Sequence, residues 1–148
     1  MAMKSTHPNR PSAEDYGKSI PDGLGVNLLV RDMPAATAFQ RDVLGVEIAF
    51  EDEDFAICKG FGSEWMLHTD HTYSDHPMIG LVQDAEVRGL GAEIRLYGCD
   101  PDAAEARARA VDAIVLQGSM DKPHGLRECF LVDPEGYVWV PSVALEEN

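Results

Sequence analysis

The sequence has no long apolar run: nothing in it approaches the roughly 20 residues that a membrane-crossing helix needs, so no helical span is expected. Basic residues are also scarce, 12 Lys and Arg against 26 Asp and Glu, for a net charge of −14. The twelve are scattered singly. With no basic patch to attract them, phosphate backbones and anionic lipid are repelled, and nucleic acid and membrane are excluded as partners. Cysteine is rare and odd in number: Cys58, Cys99 and Cys129 lie far apart, each within an apolar stretch. A reactive thiol or a metal ligand is one reading, and a small buried hydrophobe in a reducing compartment is the favoured one. Residues 1–23 (MAMKSTHPNRPSAEDYGKSIPDG) lack the apolar core of a secretory signal and read as a polar arm or tail. The expected location is the cytoplasm. What is present is ordinary: 45% hydrophobic and 26% charged residues over 148 positions, enough for one domain or two small fused modules.

The order of elements is informative. Residues 25–30 (GVNLLV) form a short apolar run suited to a strand. Asp32 can cap a helix that tolerates Pro34 in its first turn. Ala35, Ala38, Phe39 and Val43 fall on one face of that helix, and Gly45 stops it. Strand-like runs follow at 46–50, 55–59 and 65–69. The pattern then recurs: a strand at 93–98, a cap at Asp100 followed by Pro101, and an apolar stripe of Ala103, Ala106, Ala110 and Val111. Strands at 114–117, 127–132 and 137–143 complete it. Sliding the chain on itself by 68 residues sets Asp32 on Asp100, Ala35 and Ala36 on Ala103 and Ala104, and Val46 on Ile114. The expectation is an α+β chain of two βαβββ modules, about 24–72 and about 92–143, joined by a linker of about 73–91 within one domain of 24–148.

Three strings sharpen this. LLVRDMPAATAFQRDVLG looks like the first strand and helix of a module, and CDPDAAEARARA like the start of the second helix. GLRECFLVDPEGYVWV looks like a closing hairpin, with Asp133-Pro134-Glu135-Gly136 at its turn. Together they resemble the glyoxalase/bleomycin-resistance/extradiol-dioxygenase (vicinal oxygen chelate) superfamily over about residues 24–143. The resemblance implies a curved mixed sheet enclosing a small-molecule cavity, helices on its outer face, and a homodimer.

Members of that superfamily that do chemistry hold one divalent ion at positions that fall here on Gly25, Met66, Glu93 and Val140. Glycine and valine offer no donor, and a thioether is a poor ligand for a hard cation. The usual metal site is therefore expected to be absent and no cofactor is expected, with one divalent ion as the alternative. His68, Asp70, His71, Asp75 and His76 crowd into nine residues and are a possible displaced metal cluster, or a solvated polar turn. Strand alternation from those four positions adds Asn27, His68, Arg95, Tyr97 and Val138 to one face. By resemblance to fosfomycin-resistance enzymes, Glu128 and Phe130 contact the ligand. The expected ligand-binding set is thus Asn27, Met66, His68, Glu93, Arg95, Tyr97, Glu128, Phe130 and Val140.

Glu128 and His68 are the catalytic candidates, since a carboxylate on an enclosed apolar sheet should titrate high and could act as general base. Glu93 and Arg95, two apart on one face, could simply neutralise each other. Arg127 is expected to point the other way and anchor the hairpin, and His124 to lie in a loop at the cavity mouth. The leading expectation is a metal-free binder of a small aromatic or cationic molecule. The alternatives are a lyase, isomerase or dioxygenase of the glyoxalase type using His68, Glu93 and Glu128, and a partner-binding module working through the N-terminal arm.

Overall fold

The computed structural model describes residues 10–146. The first module runs β1 (Asn27–Val30), α2 (Met33–Ala38) continuing into a π-helical turn (Phe39–Val43), β2 (Glu47–Glu51), β3 (Phe55–Gly60) and β4 (Ser63–Thr69). The second runs β5 (Glu93–Tyr97), α4 (Pro101–Ala110), β6 (Ile114–Asp121), β7 (Leu126–Val132) and β8 (Val138–Ala144). The two helices start at Met33 and Pro101, the offset at which the sequence matches itself. Asp32 and Asp100 both cap as expected: each carboxylate accepts backbone N–H groups of the first turn, and proline fills an early position that has no partner to lose.

Strand order is β1-β4-β3-β2 in one sheet and β5-β8-β7-β6 in the other, with the first pair parallel and the rest antiparallel in each. Among the described residues the strands pair only within their own module, so the sheets are two and not closed on each other. Helix α2 packs on β3 and β4, and α4 on β6, β7 and β8, so the helices cover one face of each sheet. One hydrophobic core runs through both modules and includes Phe39, Trp65, Leu67, Ala104, Ala108, Cys129, Leu131 and Trp139. Trp65 and Trp139 meet across the module boundary at 5.7 Å between ring centroids.

The helix stripes differ from the sequence expectation. In α4 the buried residues are Pro101, Ala104 and Ala108, whereas Ala106 and Ala110 are exposed and Val111 is 57% exposed. A helix this rich in alanine offers several equivalent stripes, and only packing selects one. In α2 the buried face is Met33, Ala36 and Thr37, with Phe39, Gln40 and Val43 after it. The π turn rotates the face at Phe39, which a 3.6-residue period does not anticipate. Gly25 precedes β1, and β6 is longer than expected because bulges between Val115 and Met120 add residues without ending the ladder.

The two modules are clamped by the closing turn. Asp133 Oδ1 accepts the N–H groups of Glu135, Gly136 and Tyr137, and its Oδ2 accepts Trp139 Nε1 at 2.9 Å. This presents Glu135 to the end of β1, where it accepts Arg31 N at 2.7 Å and Arg31 Nε at 2.8 Å. A 3-10 turn (Asp70–Tyr73) leads from the first module into the linker, which is not bare either: it holds helix α3 (Ile79–Val82) and Arg88. The Arg88 side chain is fully buried, forks onto both oxygens of Asp70 at 2.7 Å and donates to Leu29 O.

Residues 13–19 of the expected polar arm form a helix, α1 (Ala13–Ser19), capped by Ser12. Residues 1–9 of that arm lie outside the described residues. The helix lies on the first sheet, with Tyr16 edge-on to Phe55 at 5.8 Å and its hydroxyl donating to Glu64 at 2.9 Å. Arg10 bonds Asp54 at 3.2 Å and stands 5.6 Å over the Phe55 ring.

Candidate functional site

On β4 burial alternates: Trp65, Leu67 and Thr69 are buried against the helices, and Met66 and His68 are half-buried on the other face. The parallel ladder sets Asn27 opposite Met66 and Leu29 opposite His68. His68 Nδ1 lies 2.6 Å from Asn27 Oδ1, and Asn27 Nδ2 donates to the Tyr73 hydroxyl at 2.7 Å. An amide oxygen only accepts, so Nδ1 carries the imidazole proton and Nε2 keeps its lone pair. The ring is held between Phe55 at 5.0 Å and Tyr73 at 5.7 Å. Burial pushes the His68 pKa down and the Arg10 charge adds to this, while Asp52 and Asp54 oppose it. His68 is therefore neutral at pH 7, an oriented acceptor on the open face of the first sheet.

The second sheet carries a separate group. Arg95 on β5 pairs with Glu128 on β7, reaches Glu93 at 3.3 Å and donates to the Tyr97 hydroxyl at 3.1 Å. Its guanidinium also lies 5.8 Å from the Tyr97 ring centroid. Glu128 is only 2% exposed, with His124 Nε2 at 3.4 Å and the Ser142 hydroxyl at 3.5 Å. Phe130 is half-buried beside Lys122, whose ammonium lies 5.7 Å from its ring. Tyr97 is 60% exposed. The expected neutralisation of Glu93 by Arg95 is real but shared, and Glu128 takes the closer contact. Arg127 points away from this group, as expected, and holds Asp102 and Asp121.

The expected ligand-binding set thus falls into two groups, Asn27, Met66 and His68 on one sheet and Glu93, Arg95, Tyr97, Glu128 and Phe130 on the other. The polar bonds given above stay within each sheet. Val140 is fully buried opposite Arg95 in the ladder, where it supports the strand. Tyr73 was placed in the linker by sequence, because no strand or helix period extends into a 3-10 turn. The arm containing Pro8, Pro11 and Tyr16 is a possible docking element by sequence, but its helix α1 and the role of Arg10 were missed, although Ser12 followed by Glu14 and Asp15 is a helix-start signal.

The displaced metal cluster does not assemble. His68 is engaged with Asn27, Asp70 with Arg88, His71 with Asp54 at 2.5 Å, and His76 Nδ1 accepts Met78 N. Among the described residues no group of three or more His, Cys, Asp and Glu side chains is placed to hold an ion.

No protein-family model matches the sequence, and no curated protein matches it. Solved structures do. A glyoxalase/bleomycin resistance protein/dioxygenase family enzyme from Burkholderia phytofirmans superposes with TM-score 0.64 at 21% identity, over 81% of this chain and 96% of that one. A glyoxalase/bleomycin resistance protein/dioxygenase from Nocardioides matches with TM-score 0.64 at 21% identity, over 91% and 94%. A lactoylglutathione lyase from Agrobacterium tumefaciens matches with TM-score 0.61 at 21% identity, over 84% and 95%. At this identity the likeness establishes the fold.

Proposed function

Starting from its glyoxalase/bleomycin-resistance/dioxygenase fold, we propose that this chain binds a small molecule on its concave sheet faces without a resident metal. The observation that carries the reading is the Tyr73–Asn27–His68 chain, which leaves one neutral acceptor, Nε2, oriented among aromatic rings. A few placed polar groups on an apolar surface are what a small-ligand site needs. The donor set does not suit the superfamily's divalent ion: Met66 offers a thioether, Val140 is buried without a donor, Gly25 has no side chain, and Glu93 faces Arg95.

The ligand class follows from these groups. A flat aromatic cation would donate to His68, rest against the Phe55 and Tyr73 rings beside it and gain from the charge of −14. Exposed apolar side chains on the second module, Ile114 at 60% and Leu116 at 63%, favour a homodimer that covers them. No helix among the described residues is long and apolar enough to cross a membrane, and the three free, buried cysteines suit a reducing cytoplasm.

The same Nε2 favours a second reading, metal-free proton transfer in a lyase or isomerase. There His68 would be the base, because Arg95 holds Glu128 as an ion pair. Fluorescence anisotropy with acridine orange as the probe tests the binding reading. His68→Ala and Tyr73→Ala should each weaken binding about tenfold, ~1.4 kcal/mol. Protein purified without chelator or affinity tag should carry no stoichiometric metal. Iron, zinc, nickel or manganese bound one to one and lost on His68→Ala would refute the metal-free reading.

A further inference from the structure

The N-terminal helix sits on the open face of the first sheet, and two hollows open between the arm and that sheet. One, of about 760 Å³, lies between Pro11, Tyr16, Ser19 and Pro21 of the arm and Phe50 and Ile57 of the sheet. The other, of about 300 Å³, lies between Tyr16, Ile20 and Pro21 of the arm and Met66 of β4. Both volumes fall within or at the edge of the roughly 300–1,000 Å³ range of small-molecule sites. The floor is a continuous row, because the ladders set Phe50 opposite Ile57, Ile57 opposite Met66, and Met66 opposite Asn27. Tyr16 lines both hollows, and the Phe55 ring that it contacts also contacts His68.

Alpha-helix α1 is seven residues long and buries none of them, so it would not hold its shape away from the sheet. Its conformation depends on the Tyr16–Phe55 and Tyr16–Glu64 contacts and on the Arg10 bond to Asp54. We propose that the N-terminal arm is the movable wall of the ligand site on the first sheet, with Tyr16 closing a flat, apolar ring system against the Phe50–Ile57–Met66 row. This rests on the binding reading above and adds to it the segment that encloses the ligand. A ring fits the opening because Tyr16, Phe50, Pro11 and Pro21 offer it flat faces, while Lys59 and Glu64 supply charged groups in the same lining.

The test uses the full chain and acridine orange. Tyr16→Ala removes the wall and should weaken binding about tenfold and speed dissociation by a similar factor. Tyr16→Phe keeps the ring and loses only the bond to Glu64, so it should bind within about twofold of the wild type. Because α1 buries no residue, the melting temperature should stay nearly unchanged in both variants. If Tyr16→Ala binds like the wild type while His68→Ala fails to bind, the arm is a bystander and the binding reading survives. If Tyr16→Phe loses as much as Tyr16→Ala, the Glu64 bond rather than the ring matters and the wall is refuted. A wild-type chain that does not bind the probe overturns both readings.

Discussion

Replacing Glu135 by alanine should loosen the joint between the modules. The carboxylate is 3% exposed and accepts Arg31 N at 2.7 Å and Arg31 Nε at 2.8 Å. It is also one of two carboxylates near the fully buried Arg88 side chain, at 3.8 Å from Nε. The Arg31 side chain is 40% exposed, so its ion pair alone contributes no more than about 1 kcal/mol. The backbone bond to a charged acceptor contributes about 2 kcal/mol, and leaving Arg88 with Asp70 alone costs about 1 kcal/mol more. Glu135→Ala should therefore destabilise the chain by about 3 kcal/mol, which lowers the melting temperature by roughly 6–12 °C at this size. Arg31→Ala should cost only about 1 kcal/mol, since Glu135 keeps the backbone N–H and Arg88. Urea denaturation followed by the fluorescence of Trp65 and Trp139, which touch across the joint, measures both. A loss below about 1 kcal/mol for Glu135→Ala would show that the closing turn does not hold the modules together.

Other outcomes follow from single contacts. Gly136 has φ of +101°, and a Cβ there would lie 2.8 Å from Arg88 N, so Gly136→Ala should cost at least about 2 kcal/mol by thermal unfolding. Arg10→Ala should raise the His68 midpoint, read from its imidazole proton shifts against pH, because one cause of its depression is removed. His68 is depressed in the folded chain, so the unfolded chain binds more protons between the two midpoints. Stability from this residue is full above about pH 6.5 and falls as the pH drops through that value toward the folded midpoint. Burial pushes the Cys58 and Cys129 thiols up to about 12 and Cys99 to about 11, so none should react with a thiol reagent at pH 8 until urea unfolds the chain. Arg95→Met leaves Glu128 buried without its closest cation and should cost about 3 kcal/mol in the same denaturation assay.

Much of the scaffold was legible in the sequence because it is written in local chemistry. Asp32-Met33-Pro34 and Asp100-Pro101 are cap signals whose carboxylates bond where the rule places them, and the strand runs 55–59 and 65–69 differ from the observed strands by one or two residues. The DPEG string was legible as a turn, but not as a clamp, since Glu135 meets Arg31 across 104 positions of chain. Alternation on β4 correctly separated Met66 and His68 from Trp65 and Leu67. It gave no sign of Tyr73, which turns back onto Asn27 from a 3-10 turn, nor of which alanine stripe α4 would bury. The pairing of Arg95 with Glu128 was also hidden, because it joins β5 to β7 across β8.

Nuclear magnetic resonance mapping of acridine orange binding tests the central claim most directly. Saturation should move the His68 imidazole, the Met66 methyl and the Tyr73 ring signals. Shifts confined instead to the groove between the helices, at Ala35, Ala38, Val111 and Ile114, would place the ligand on the wrong side of the sheets and contradict the account.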